Sequence, residues 1–444
     1  MVKILDEDEK KAFNILSKKY KLRKREFKIE NGHVIFLDLS FLNSTSTLEQ
    51  LITLPESILE LKSLQGLNIS FNQLTTLPKS FGDLRSLQKL EIYSNQLISL
   101  PESFGDLKSL QRLEIYSNQL TTLPESFGGL ESLQGLWIHK NQLTTLPESF
   151  GKLRSLKELN LEYNKLFMLP ESFGGLKSLQ ILQLNNNQLT TLPESFGDLE
   201  SLNYLTLQYN KLLTLPESFG DLKSLQYLQL SSNLLRSLPD SFGDLRSLQR
   251  LELTSNLLTN LPVSFKKLES LEELRLGYNW LSYLPEPIIE LKSLKNLYLN
   301  DNELTALPEA FGRLESLEYL TLANYREKAS PSSFRVYNRP PVISAARELL
   351  DTVKEEIIKS IKARYLIKLN KLTTLPKSFG NLKSLYLLSL KRNQFTNLPD
   401  SLGGLDQLRT LDLKDNPLSE KDMEIYKQGV KAVIEYCKKM LQEK

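Results

Sequence analysis

A chain of 444 residues with 40 % apolar and 25 % charged residues has the make-up of an ordinary globular protein, and 56 basic against 53 acidic residues leave a net charge of +3. That charge is too small on its own to point to nucleic acid. The two histidines, His33 and His139, stand far apart, and the single cysteine is Cys437, so triads, histidine-dependent metal sites and internal disulfides have little or no material. No run of about 18 apolar residues is present to span a membrane, and no apolar signal segment opens the chain.

Residues 1–30 carry ten lysines and arginines against six acids, a net charge of +4. From Asp6 to Tyr20 the spacing of Phe13, Leu16 and Tyr20 predicts an amphipathic helix, a solvated cap at the start of the fold. Phe27-Lys28-Ile29 and the segment from Val34 to Leu39 flank Asn31-Gly32, a tight-hairpin signal. Residues 1–33 are expected to cap the segment that begins at residue 34.

From residue 34 the sequence repeats itself. One copy reads Leu87, Leu90, Ile92, Asn95, Leu97, Leu100-Pro101, Ser103-Phe104-Gly105 and Leu107. The asparagine recurs every 23 residues from Asn72 to Asn302, and again at Asn370, Asn393 and Asn416. This period and leucine pattern predict a leucine-rich repeat solenoid, an α/β horseshoe in which each coil gives one strand to a parallel, concave sheet. Leu90 and Ile92 flank Glu91 with a period of two, so the apolar pair enters the core and Glu91 faces out. The asparagine leaves the strand where backbone groups lack partners, which predicts a stacked, structural amide ladder. Phe104 and its equivalents, such as Phe81, Phe127 and Phe150, predict a buried aromatic spine. One coil cannot bury its own apolar side; a stack can.

The repeats run over 34–323 and resume over 369–418. Removing 324–368 joins Ala323 to Leu369 and restores an unbroken copy, so 324–368 is expected to be an excursion that leaves and returns at one point. It holds Ser330, Pro331, Pro340 and Pro341, then Ile343, Ala346, Leu350, Val353, Ile357 and Ile361 at helical spacing, with a net charge of +5. Residues 419–444, with Met423, Tyr426, Val430, Ile434, Cys437 and Leu441, are expected to form one amphipathic capping helix, Cys437 on its apolar side as a small buried hydrophobe.

No catalytic constellation, metal-ligand cluster or phosphate-binding glycine loop is found, and no cofactor is expected. The informative positions face out from the sheet. Most are small or amide, but three consecutive coils carry Glu91 and Tyr93, Glu114 and Tyr116, and Trp137 and His139, with Tyr163 near their edge. Adjacent strands lie about 4.8 Å apart, so Glu91 and Glu114 are expected side by side, a mildly destabilising arrangement, next to an exposed indole. Aromatic anchors of this kind typify interface hot spots, and the carboxylates would favour a partner with a basic segment. A second, weaker sector combines Glu252, Arg275, Tyr278 and Tyr298, where a Glu252–Arg275 surface pair is expected.

The motif Leu-x-x-Leu-x-Leu-x-x-Asn-x-Leu-x-x-Leu-Pro-x-Ser-Phe-Gly-x-Leu, over roughly 34–323 and 369–418, resembles the intracellular Ras-group repeat proteins, including Shoc2-like scaffolds. It is also similar to the repeat portions of Roco proteins, which can end in an Asn-Pro-Leu turn and helix like 416–441. The resemblance implies a protein-binding scaffold holding its partner on the concave face, such as a small GTPase or another signalling protein. The chain is expected to be non-enzymatic, cytoplasmic and monomeric, and no nucleic acid is expected as a partner. Secreted relatives generally close their ends with disulfides, which a single cysteine cannot do by itself. A reading of a different class makes the protein a peripheral membrane or polyanion tether acting through its basic N-terminus and insertion.

Overall fold

The computed structural model describes residues 6–41, 51–325 and 369–443. The proline-containing part of the expected excursion and its amphipathic helix, residues 326–368, lie outside them. The protein divides into two compact units, Met1–Asn210 and Lys211–Lys444.

The first unit opens with helix α1 (Glu7–Tyr20), whose N-terminal Asp6 carboxylate accepts a hydrogen bond from the Glu9 backbone N–H at 2.8 Å. Ala12, Phe13, Leu16 and Tyr20 form its buried stripe. Strands β1 (Phe27–Glu30) and β2 (His33–Asp38) pair antiparallel through the Asn31-Gly32 turn, whose φ values of 50° and 83° match a two-residue hairpin. The buried Glu9 ties α1 down, accepting from the N–H groups of Val34 (3.3 Å) and Ser63 (3.1 Å) and facing Nδ1 of His33 at 3.3 Å.

β2 then pairs in parallel with β3 (Gly66–Asn68), and β4 (Lys89–Glu91), β5 (Arg112–Glu114) and β6 (Gly135–Trp137) come next in register, leucine opposite leucine. The unit continues this way to Tyr204–Thr206. From β3 onward each strand is three residues long because the backbone turns off it at a left-handed residue, Ser94 (φ 54°) in one coil and Ser117 (φ 54°) in the next. The asparagine after it satisfies the groups that the turn strands. Asn95 Oδ1 accepts from the Leu74 N–H of the preceding coil at 3.0 Å. Its Nδ2 donates to the carbonyls of Ile69 (2.9 Å) and Ile92 (3.2 Å). The same contacts recur coil after coil, so the asparagines form the expected ladder. On the far side of the core, Pro101 keeps the backbone extended before the short helical turn Glu102–Asp106. Phe104 packs there between Phe81 and Phe127 with near-parallel rings 5.9 and 6.1 Å away.

The second unit repeats the plan from Tyr227–Gln229 to Thr410–Asp412. Tyr319–Thr321 pairs directly with Leu387–Ser389, so the sheet continues across the excursion, and Phe311 stacks on Phe379 at 5.6 Å. The closing segment, expected as one helix, is two: α2 (Glu420–Lys427) and α3 (Val430–Gln442). Gly429 between them has φ of 102°, a conformation that a helix cannot continue through. Both helices serve the last coils. The Asp422 carboxylate accepts from the Leu398 N–H at 3.2 Å and the Tyr426 hydroxyl oxygen from the Leu413 N–H at 3.2 Å, while Val433, Ile434 and Cys437 are buried.

Candidate functional site

Period-two alternation on β4, β5 and β6 sends Leu90, Leu113 and Leu136 inward and leaves three columns on the open face of the first unit. The first holds Lys89, Arg112 and Gly135; the second Glu91, Glu114 and Trp137; the third, just past the strands, Tyr93, Tyr116 and His139. Six of the seven residues expected at a site from the sequence are thus gathered here.

The third column is a stack of rings. Tyr93 and Tyr116 lie 4.4 Å apart between centroids at an interplanar angle of 7°, and Tyr116 and His139 4.4 Å apart at 9°. The stack extends in a direction that sequence reasoning missed. Phe71 meets Tyr93 edge-on at 5.1 Å, and Phe41 stacks on Phe71 at 4.1 Å. Both phenylalanines are exposed, Phe41 by 52 % and Phe71 by 39 %. They stand one position later in their coils than Tyr93, at the left-handed residue (φ 57° and 55°), where bulky side chains are strained. The signal that would have found them is an aromatic residue at the turn position in two successive coils. Tyr163 shares that position (φ 52°) and is 51 % exposed, but no ring contact among the described residues joins it to the stack.

The indole of Trp137, expected to stand exposed, lies down instead. It folds back over Gly135, where an added Cβ would sit 2.5 Å from Trp137 Cη2. The Arg112 guanidinium covers it, Cζ 4.2 Å from the ring centre. The two carboxylates do not face each other uncompensated either. Glu91 pairs with Lys89 Nζ at 2.6 Å and Glu114 with Arg112 Nε at 2.8 Å, each along its own strand.

This packing sets the protonation states. Burial first, then the neighbouring Tyr93 and Glu114, push the Tyr116 phenol up to about 12. Burial, helped by Lys140 and opposed by Glu114, lowers the His139 imidazole below its ordinary value. Its Nδ1 is shut off from solvent without a hydrogen bond among the described residues. Both shifts favour the uncharged forms of Tyr116 and His139.

In the second unit Arg275 lies over Tyr298 at 4.7 Å, and Tyr298 contacts Tyr319 at 4.8 Å. The expected Glu252–Arg275 pair is present at 3.9 Å, but Glu273 is the closer partner at 2.6 Å. Tyr278 takes the left-handed turn position there (φ 56°). Cys437 is buried, and desolvation drives its thiol up to about 12, so it offers no thiolate nucleophile. Among the described residues no group of three or more His, Cys, Asp or Glu is placed to hold a metal ion, and no helix is long and apolar enough to cross a membrane. Of the tether's basic residues, Lys10, Arg25 and Lys28 pair with Glu7, Glu26 and Glu30, and 326–368 lie outside the described residues.

Family models of the leucine-rich repeat region match residues 82–167 and 197–279, and leucine-rich repeat models match 49–97, 168–212, 364–418 and 293–314. A leucine-rich repeat protein of Leptospira interrogans is similar at 33 % identity, over 88 % of this chain and 93 % of that one, with a TM-score of 0.67. The chain belongs to the leucine-rich repeat family.

Other solved structures resemble it at lower identity. The ectodomain of the Arabidopsis receptor kinase HAESA, in complex with an IDA peptide hormone, is 29 % identical with a TM-score of 0.56, over 88 % of this chain and 64 % of that one. The Toll–Spatzle complex of Drosophila matches at 26 % identity and 0.61, over 84 % and 54 %. No curated protein matches the sequence. Leucine-rich repeat solenoids are typically protein-binding folds, and their family is generally non-enzymatic.

Proposed function

We propose that the protein is a non-enzymatic scaffold that binds a protein partner on the concave face of its sheet, through the sector of Glu91, Tyr93, Glu114, Tyr116, Trp137 and His139, with Tyr163 at its margin. The observation that carries this reading is the unbroken run of rings from Phe41 through Phe71, Tyr93 and Tyr116 to His139, beside an indole held flat. A monomer gains little from two exposed phenylalanines at strained backbone positions, whereas an interface gains rigid aromatic anchors whose ordering cost is already met. Ligand-bound relatives such as the HAESA ectodomain support a peptide or protein as the partner class. A cytoplasmic location and a signalling role akin to the Ras-group repeat proteins belong to the same proposal, supported by the single buried cysteine.

The test is affinity capture from the source cell with the wild-type protein, the Tyr116→Ala and Trp137→Ala variants, and a control variant, Lys177→Ala, outside the sector. Partners retained by wild type and Lys177→Ala but lost from both sector variants are expected. Equal recovery by all four folded proteins would remove the sector from consideration.

A further inference from the structure

The charge that a partner meets on this sector is not the one that Glu91 and Glu114 suggest by themselves. Glu91 and Glu114 keep only 18 % and 15 % of their side-chain surface, while Lys89 and Arg112 keep 47 % and 50 %. The column order explains the difference. The carboxylates lie between the cations on one side and the tyrosine rings on the other, and each spends an oxygen on the cation of its own strand. Cations and ring edges are left at the surface.

Arg112 is also poised. Glu114 engages its Nε alone, and the guanidinium rests over the Trp137 ring, Cζ 4.2 Å from its centre. Its two terminal nitrogens have no hydrogen bond among the described residues. A guanidinium fork matches a carboxylate bidentately, and one that is already oriented loses little entropy on doing so. Lys89 stands on the adjacent strand, directly across from Arg112. In the second unit Arg275 also lies over a ring, but two carboxylates, Glu273 and Glu252, already flank it.

We propose that the sector recognises an acidic peptide segment: a carboxylate seated on the terminal nitrogens of Arg112 and near Lys89, with an adjacent apolar side chain against the edges of Tyr93, Tyr116 and His139. The proposal rests on the protein-binding reading and specifies the chemistry of its partner. The carboxylate is an Asp or Glu side chain within the segment, since the sheet continues past Lys89 and Arg112 through β3 and β6 and leaves a bound chain room to run on at both ends.

The experiment is fluorescence anisotropy on the full-length protein with labelled synthetic peptides that alternate phenylalanine with glutamate, lysine or serine. Each has an amidated C-terminus, and the serine peptide is also made as the free acid. Binding of the glutamate peptide is expected; binding of the free-acid serine peptide over its amide, without binding of the glutamate peptide, would assign the carboxylate to a chain end and overturn the inference. Arg112→Gln is expected to weaken that binding about tenfold or more, Gly135→Ala to weaken it by releasing the indole beneath Arg112, and Arg275→Gln to leave it unchanged. Melting curves confirm that each variant is folded. Preference for the lysine peptide, or identical binding by wild type and Arg112→Gln, overturns the acidic-partner inference. If no peptide binds while the sector variants still lose their partners in affinity capture, the inference fails and the protein-binding reading stands. If capture is also unaffected, both fail.

Discussion

The side-chain amide of Asn324 closes on the backbone of Asn370 like a missing peptide link. Asn324 Oδ1 accepts from the Asn370 N–H at 2.8 Å, its Nδ2 donates to the Asn370 carbonyl at 2.9 Å, and the same Nδ2 reaches the Arg392 carbonyl at 2.6 Å. Asn324 lies just past the strand Tyr319–Thr321, its N–H bonded to the Lys391 carbonyl at 3.0 Å, while Asn370 takes the ladder place, contacting Leu299, Leu322 and Leu304. One coil is thus completed by two asparagines, 46 residues apart, that meet at the neck of the excursion.

Asn324 is wholly buried, so truncating it strands a donor and acceptors with no access to water. Asn324→Ala is expected to destabilise the second unit by about 2–3 kcal/mol. Urea unfolding monitored by circular dichroism measures the loss, and hydrogen exchange should localise it to the amides of Asn370 and Lys371. A loss below about 0.5 kcal/mol would show that the neck does not depend on this pairing.

Glu9 plays the corresponding part at the other end, a buried carboxylate with two backbone donors and His33. Glu9→Ala should free α1 at a local cost of about 2 kcal/mol, seen as faster amide exchange across Glu7–Tyr20. Glu9→Gln keeps one acceptor oxygen and should cost less. Equal exchange in all three proteins would count against the tie.

Two members of the ring run, His139 and Tyr116, should titrate away from their ordinary values. His139 has its folded value below the ordinary imidazole value, so between the two the unfolded state binds more protons and stability falls as pH drops through that window. Tyr116, raised to about 12, works the other way: between about 10 and 12 the folded state holds the extra proton, and stability falls as pH rises. Imidazole NMR of wild type against His33→Gln, and ultraviolet titration against Tyr116→Phe, report each group. A His139 midpoint at or above that of a free imidazole would contradict the stacked, desolvated geometry.

Gly135 is where the indole needs room. In a Trp280→Phe background, Gly135→Ala is expected to shift Trp137 emission to the red and raise its quenching by acrylamide, as the ring leaves its place beneath Arg112. Unchanged spectra would mean that the indole does not rest on Gly135.

Much of the architecture was legible because it is local. Leu90 and Ile92 declare an inward face by their spacing, Asn95 declares a corner that needs an amide, and Phe104 declares a second buried layer; each contacts its own copies one coil away. The break at Gly429 was less visible, since the apolar spacing from Met423 to Leu441 runs across it. At the candidate site, period-two alternation was enough to gather Glu91, Tyr93, Glu114, Tyr116, Trp137 and His139 on one face. Phe41 and Phe71 escaped because they reach the stack from a different backbone position, with left-handed φ, rather than by the same alternation.

What the sequence alone determined is which side chains enter the core and which do not, because a 23-residue period repeated in register leaves a leucine only one direction that buries it. What the tertiary structure decided is how the outward side chains share the face: Trp137 lying over Gly135, Glu91 and Glu114 tucked between cations and rings, Arg112 left with its fork open. Long polar and aromatic side chains have several rotamers open to them in each coil, and contacts with adjoining strands select among these, so exposure and effective charge belong to the assembled surface and not to any one residue.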